Sequence, residues 1–323
     1  MDPTIWVGHR EEVQRAITVA TAGTILVQNV INRVVQALTL RYLGVWSTLD
    51  HRPGTNGAQA TINRRAPGTT SGQWLSDTTE PDEDTGTYTQ TTFAYRTVVS
   101  RGKVTRKMQR NGQSYADVLG IEIMEKLDDH ITVLESGAVV GSAAANANQI
   151  NGLLTLINAV SGQVVANTTA TAGGPVILGK MDQAVDLVKG NDSEKVIFGS
   201  LNGRRKLNAA LQAQQQFVNM TDIPAGFRVR SYDDIPIIPS TEIPDDLVWN
   251  GSAPSITAFT GGSTTALIIV NRRYVWFEDQ TPTSVLPLAK TTSQADSFDI
   301  FTDVALVHAN TKGASILGGI AGS

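Results

Sequence analysis

Apolar residues recur at three- and four-residue steps through "SYADVLGIEIMEKLDDHITVLESGAVVG". Leu119, Ile123, Leu127, Ile131, Leu134 and Ala138 form one stripe, the spacing of a helix with a single buried face. Ser114 caps the predicted start, with Asp117 three residues on. From Ser114 to Val140 such a helix runs roughly 40 Å at 1.5 Å per residue. Upstream the period changes to two. "TYTQTTFAYRTVVS" puts Phe93, Tyr95, Thr97 and Val99 on one face, which predicts a strand within a long β-hairpin over about 50–110. That segment is rich in Thr, Gly, Gln and Arg and buries little of itself. An isolated hairpin is marginal in water, so it is expected to lie on another surface, that of a second subunit.

The flanking segments complete the pattern. A helical stretch around Glu11 to Leu43 reads as an arm, and Pro53, Gly54 and Gly57 in "LGVWSTLDHRPGTNG" stop regular structure. After the long helix, "GKMDQAVDLVKG" predicts a short helix ended by Gly190, and "EKVIFGS" a buried strand. "LNGRRKLNAALQAQQQ" predicts a second helix and "TTALIIVNRRYVWFE" a strand with a polar turn. The chain closes with "SFDIFTDVALVHAN", a long alternating strand, and the small-residue tail "TKGASILGGIAGS". The fold class is α+β, without internal repeats.

Composition narrows the function. The 323 residues are 41% hydrophobic, enough for a substantial core, but only 17% charged, which leaves a largely uncharged polar surface suited to broad contact with neighbours. A net charge of −4 gives the whole chain no electrostatic reason to hold nucleic acid tightly. The absence of Cys excludes disulfides, thiolate metal sites and cysteine nucleophiles. His9, His51, His130 and His308 are too scattered for ligand spacing, so no cofactor or metal is expected. The start "MDPTIWVGHREEVQ" lacks a basic region leading into an apolar one, and Thr, Gln, Asn and Gly interrupt the uncharged run 16–32. Neither a secretory signal nor a membrane span is expected.

Three motifs invite a chemical reading. "GPVILGKM" satisfies GxxxxGK, the spacing of a P-loop NTPase, but Met181 stands where a hydroxyl should hold Mg²⁺. Pro175 also lacks the N–H a phosphate cradle uses. "EPDED", Glu80 to Asp84, lacks the spacing and central Gly of a calcium loop and reads as a solvated hairpin tip. In "SYDDIPIIPSTEIPDD", Asp233 and Asp234 would point to opposite faces of an extended segment and cannot act on one atom. Pro236, Pro239 and Pro244 discourage edge-to-edge strand pairing.

In order, an arm, a long hairpin, one very long acidic helix, a mixed α+β domain and a returning strand resemble the major capsid proteins of tailed bacteriophages, the Hong Kong 97-like capsid fold. The residues that carry the resemblance are "LGIEIMEKLDDHITVLESGAVVG", "VIFGSLNGRRKLNAAL", "RVRSYDDIPIIPSTEIP" and "VALVHANTKGASIL"; relatives often have Gly where this chain has Asp234. The resemblance implies an N-terminal arm over 1–49, an extended loop over 50–110 and the spine helix of a peripheral domain over 111–142. An axial domain follows over 143–292, then a peripheral strand and tail over 293–323. It implies no enzyme, but a subunit made in the host cytoplasm that self-assembles into hexamers and pentamers of an icosahedral virion shell around double-stranded DNA. The DNA would be held by weak non-specific contact, with no membrane. A portal, a possible decoration protein and, since the arm begins at Met1, a separate scaffolding protein are the expected partners. With no hairpin lysine before Lys103, noncovalent locking is expected. The alternative on the same fold is an encapsulin-type compartment. Arg64, Arg65, Trp74, Phe93 and Tyr95 of the hairpin, with Glu122, Glu125, Asp128, Asp129 and Glu135 of the spine helix, are the expected inter-subunit contacts. Arg101, Lys103, Arg106, Lys107 and Arg110 form a second basic cluster without interleaved aromatics.

Overall fold

The computed structural model describes residues 43–55, 57–66, 73–81, 83, 86–112, 118–213, 220–222, 228–289 and 294–322. The arm before residue 43, the cap at Ser114, and Asp82 and Asp84 of the acidic run lie outside the described residues. In chain order the elements are α1 (Gly44–Thr48), β1 (His51–Pro53), β2 (Gln59–Ala66), β3 (Thr87–Ala94), β4 (Arg96–Thr105), α2 (Arg106–Gly112) and α3 (Val118–Val140). Then come α4 (Leu153–Asn158), β5 (Val164–Ala166), α5 (Leu178–Leu187), β6 (Lys195–Gly199), α6 (Leu201–Ala213), β7 (Met220–Asp222), β8 (Arg228–Tyr232) and β9 (Ile235–Pro239). The last are β10 (Val248–Asn250), β11 (Ser255–Ala258), β12 (Thr264–Asn271), β13 (Val275–Pro287), β14 (Ala295–His308) and β15 (Ala314–Ala321).

The larger of two compact units holds residues 43–98, Ile131–Pro282 and 302–322. Its centre is a seven-stranded mixed sheet in the order β5-β15-β12-β6-β9-β8-β7. Because side chains alternate across a strand, the sheet builds two apolar layers at once. Ile197, Leu267, Ile269 and Leu317 meet Met181, Ala184 and Val185 of α5 and Leu207 and Leu211 of α6. Val196, Phe198, Ile268, Val270 and Ile316 face the opposite layer, with Leu134 of α3 and Leu153, Leu154 and Ile157 of α4. Covered on both sides, β6 and β12 are buried along their whole length, which is why they read as continuous apolar runs rather than alternating ones.

The segment "SYDDIPIIP" forms the β8–β9 hairpin. Asp233 and Asp234 make its two-residue turn with φ of 49° and 61°, the left-handed conformation that aspartate tolerates. The expectation that its prolines guard an edge is corrected: β9 lies between β6 and β8. Each neighbour covers only part of it, β8 at Ile235 and Pro236 and β6 from Ile237 to Pro239, so the missing N–H groups interrupt no continuous ladder.

A larger correction concerns "TKGASILGGIAGS". It is no tail: β15 runs antiparallel to β12 and parallel to β5, and Ala314 through Ile320 are buried. Gly318 is required there, since a Cβ would overlap the Trp249 ring. β13 also leaves the sheet of β12 after the turn at Asn271–Tyr274 and joins a four-stranded sheet ordered β1-β13-β14-β4.

The smaller unit holds the described residues of Val99–His130 and Thr283–Phe301. Arg101 holds Asp299 through two bonds of 2.7 and 2.8 Å, Gln109 Nε2 donates to Asp296 at 3.1 Å, and Ser100 Oγ lies 2.9 Å from His130 Nδ1. Two readings of "TYTQTTFAYRTVVSRGK" change. The chain breaks at Tyr95 into β3 and β4, and the break shifts the inward face: Val98, Gly102 and Val104 turn inward, whereas Thr97 and Val99 are exposed. The basic stretch that follows is the helix α2 rather than the end of a loop.

Candidate functional site

The hairpin β2–β3 is paired in full register from Gln59↔Ala94 to Ala66↔Thr87. Its two ends differ. At the base, Ala60 packs with Trp276, Ala305 and Val307, flanked by half-buried Ile62, Phe93 and Tyr95. The hairpin is therefore seated on its own chain at one end, which narrows the expectation that all of it lies on a neighbour. Toward the tip, Thr87 to Gln90 are exposed, Tyr88 is 72% exposed and Trp74 is fully so at 105%.

The structure separates the expected contact residues into two groups. Arg64 is engaged within its own chain: its Nε–H donates to Ala309 O at 2.7 Å and its Nη2–H to His308 O. Burial lowers its pKa, and it holds the buried His308 well down, to about 4, after burial itself. Phe93 and Tyr95 likewise serve the base. Arg65 and Trp74 remain outward, Arg65 with its guanidinium 6.0 Å from the Tyr88 ring centroid, within cation–π range.

On α3, Glu125, Asp128 and Asp129 are exposed, Glu122 is half-buried, and Lys126 Nζ reaches Asp129 at 3.5 Å. Glu135 is the contradicted residue. It is fully buried, Oε1 accepting from the Val45 N–H at 2.9 Å and the Ser240 hydroxyl at 2.6 Å, and Oε2 from the Trp46 N–H at 2.6 Å. It thus holds α1 and the end of β9 to α3 and is closed to a neighbour's arginine. Burial raises its carboxyl pKa, the three donated bonds opposing and nearby Glu242 adding to the rise. A signal existed in the sequence: Ile131, Glu135, Ala138 and Val139 follow the helix's own buried-face spacing.

Sequence reasoning missed the groups that fix the hairpin's base. Tyr95 Oη donates to Glu278 Oε1 at 2.6 Å and accepts from the Thr55 N–H at 3.0 Å; burial and then the Glu278 bond raise its pKa. β1 pairs in parallel with β13, His51↔Phe277 through Pro53↔Asp279, and the Gly54 N–H donates to Asp279 O at 2.7 Å. The His51 ring joins Trp46 and Phe277 in a three-ring cluster, at centroid distances of 4.5 and 5.1 Å from them. The Tyr95–Glu278 and β1–β13 partners are more than 180 residues distant in sequence, so no local pattern announces them.

The remaining motifs are architectural. In "GPVILGKM", Asn167 ties the loop by donating to Pro175 O at 2.8 Å and accepting from the Ile177 N–H at 2.9 Å, while Lys180 turns to Gln183 at 3.2 Å. Met181, in the position a P-loop gives to a hydroxyl, is fully buried. Among the described residues no group of three or more His, Cys, Asp or Glu could hold a metal ion, and no helix is long and apolar enough to cross a membrane.

A family model described as the SU10 major capsid protein matches residues 49–321. No curated protein matches the chain. Among solved structures it resembles the SrpI encapsulin complex from Synechococcus elongatus PCC 7942, at 14% identity and a TM-score of 0.66, covering 90% of this chain and 91% of that one. It also resembles the cyanophage A-1(L) capsid, at 13% identity and 0.61 over 89% and 95% of the two chains. The capsid of a native GTA particle gives 13% and 0.61 over 88% and 92%. At these identities the likeness is one of fold, the α+β Hong Kong 97-like capsid fold. The family match extends over most of the chain, with the hairpin and the four- and seven-stranded sheets included, and it settles the role as that of a shell subunit of the virion: the chain belongs to the SU10 major capsid protein family.

Proposed function

We propose that the chain self-assembles into hexamers and pentamers that close into an icosahedral shell around double-stranded DNA. The observation that carries this reading is the hairpin, seated by its base on its own chain while Trp74 and Tyr88 stand in water. In this reading 50–110 supplies the extended loop and α3 the spine helix, with the seven-stranded sheet as the axial domain and β15 added to it. Arg65 and Trp74, rather than Arg64, Phe93 and Tyr95, meet a neighbouring subunit, and Glu122, Glu125, Asp128 and Asp129 are the acids a neighbour's arginine finds. Each exposed pair contributes only about 0–1 kcal/mol. A shell repeats it in every subunit, and many weak contacts become collectively strong through multivalency.

The chain is produced in the host cytoplasm and assembles with a separate scaffold, a portal and a decoration protein. It carries no catalytic role. DNA is held by weak contact, as the net charge of −4 allows. Expression with the neighbouring virion genes, followed by electron microscopy and light scattering, should show uniform closed particles whose DNA resists nuclease. A chain that stays monomeric under all assembly conditions overturns the proposal; closed particles holding a cargo protein and no DNA identify the encapsulin-type compartment instead.

A further inference from the structure

His51 is held in a way that fixes its charge. Its Nδ1 lies 2.8 Å from Asp279 Oδ2 and its Nε2 lies 3.0 Å from Trp46 O. A main-chain carbonyl only accepts, and an ionised carboxylate only accepts, so both ring nitrogens must carry protons for both bonds to exist. A neutral imidazole has one N–H and must abandon one partner. The ring also packs edge-on against Trp46 and stacks on Phe277 at an interplanar angle of 22°, in a cluster where those two rings touch each other at 4.6 Å. Asp279 belongs to β13, Trp46 to α1, and His51 opens β1. One protonated ring therefore ties together the strand leading into the hairpin, the helical turn before it and the strand both rest on.

We propose that His51 is a proton-operated clasp at the base of the hairpin, closed while the ring is an imidazolium and opened by its deprotonation. The groups facing it are Asp279 from β13, its strongest partner, and Asp50 from the segment before β1. Arg52, next along β1, is turned away: its guanidinium covers the Trp276 ring at 3.8 Å and its Nη2 reaches Asp50 at 3.9 Å. Among the described residues two anions and a carbonyl act on the ring and no cation opposes its charge. The bond to Asp279 is the largest cause holding the His51 pKa above its ordinary 6.5, with partial burial opposing it. A raised histidine value means that the clasp's contribution is complete below pH 6.5 and is lost as pH rises through the raised value.

Opening leaves the other ties of the base in place, since the Gly54 N–H bond to Asp279 O and the Tyr95–Glu278 bond do not involve the ring. The expected result is a loosened pivot rather than an unfolded chain. The clasp lies within one chain, so it can be tested on unassembled protein whether or not the shell forms.

Hydrogen exchange of peptides covering residues 44–55 in the full chain, followed from pH 5.5 to 9 and corrected for the intrinsic pH dependence of exchange, reads it directly. Protection should fall at least fivefold across one titration with its midpoint above 6.5. His51→Phe keeps the aromatic stack but has no donors, and should show the low protection at every pH without a step. Should that variant fold poorly, ¹⁵N spectra of the wild-type histidine ring still decide: both nitrogens should be protonated at pH 6.5 and one lost above it. A flat wild-type profile, a step that persists in His51→Phe, or a neutral ring at pH 6.5 overturns the clasp.

Discussion

Strand β15, "ASILGGIA", and hairpin strand β3, "TYTQTTFA", hold three and two large apolar or aromatic residues respectively, yet they end in opposite surroundings. From Ala314 to Ile320 β15 is buried, while Thr87 to Gln90 of β3 are exposed. The difference lies in what flanks them. β15 has β12 on one side and β5 on the other, with apolar layers above and below, so that even small residues are covered. The hairpin strands have only each other, plus a patch of Trp276, Ala305 and Val307 at the base. In this chain burial is set by neighbours more than by composition, and at the hairpin tip the neighbour we propose is a second subunit.

The comparison can be broken most forcefully at Gly318. Gly318→Val drives a branched side chain into the Trp249 ring and should destabilise the chain by about 3 kcal/mol or more, seen as lost soluble protein or a steep fall in melting temperature. The same change at Thr89, on the exposed hairpin strand, should leave melting nearly unchanged. Next in size is Glu135→Ala, which strips the acceptor from the Val45 and Trp46 N–H groups and the Ser240 hydroxyl. Since each of the three orphaned donors costs about 1–3 kcal/mol, chemical denaturation should show a loss of about 3 kcal/mol or more.

A smaller effect sharpens the contrast within the hairpin. Arg64→Ala removes bonds to His308 O and Ala309 O and should cost the unassembled chain about 1 kcal/mol. Arg65→Glu with Trp74→Ala should change its melting by less than about 0.5 kcal/mol, yet reduce the yield of closed particles in sedimentation. Reversing Glu125 and Asp129 to lysine should partly restore closure to that double variant. Smallest of all is Lys180→Ala, which loses one exposed bond to Gln183 and should neither shift melting nor alter assembly.

Much of the fold was legible in the chain because its strongest signals are local. The three-to-four spacing of Leu119 to Ala138 anticipated α3, and "EKVIFGS" and "TTALIIVN" anticipated β6 and β12 because strands covered on both faces read as unbroken apolar runs. The tail was misread for a physical reason: Gly318 and Gly319 weaken any strand pattern, and only the approach of Trp249 explains why glycine suits the strand there. At Tyr95 a one-residue break reversed which side of β4 faces inward, something period counting across the break could not register.

The proposed contact residues stand out in the sequence as charge and aromatic character, but not as to which of them the chain uses itself. Arg64 and Arg65 are adjacent letters on opposite faces of β2, and only the carbonyls at His308 and Ala309 tell them apart. Glu135 follows the exposed acids of α3 in sequence while lying on the helix's buried face. His51 and Glu278 carried no motif, because the ties they form join segments far apart in the chain.

The central claim is that the hairpin's tip is completed by another subunit and its base by its own. Hydroxyl-radical footprinting of unassembled chains against closed particles, read residue by residue, tests both halves. Trp74 and Tyr88 should pass from strong labelling to protection on closure, whereas Trp276, buried at the base at 8% exposure, should be equally protected in both states. Equal labelling of Trp74 and Tyr88 before and after closure would contradict the account.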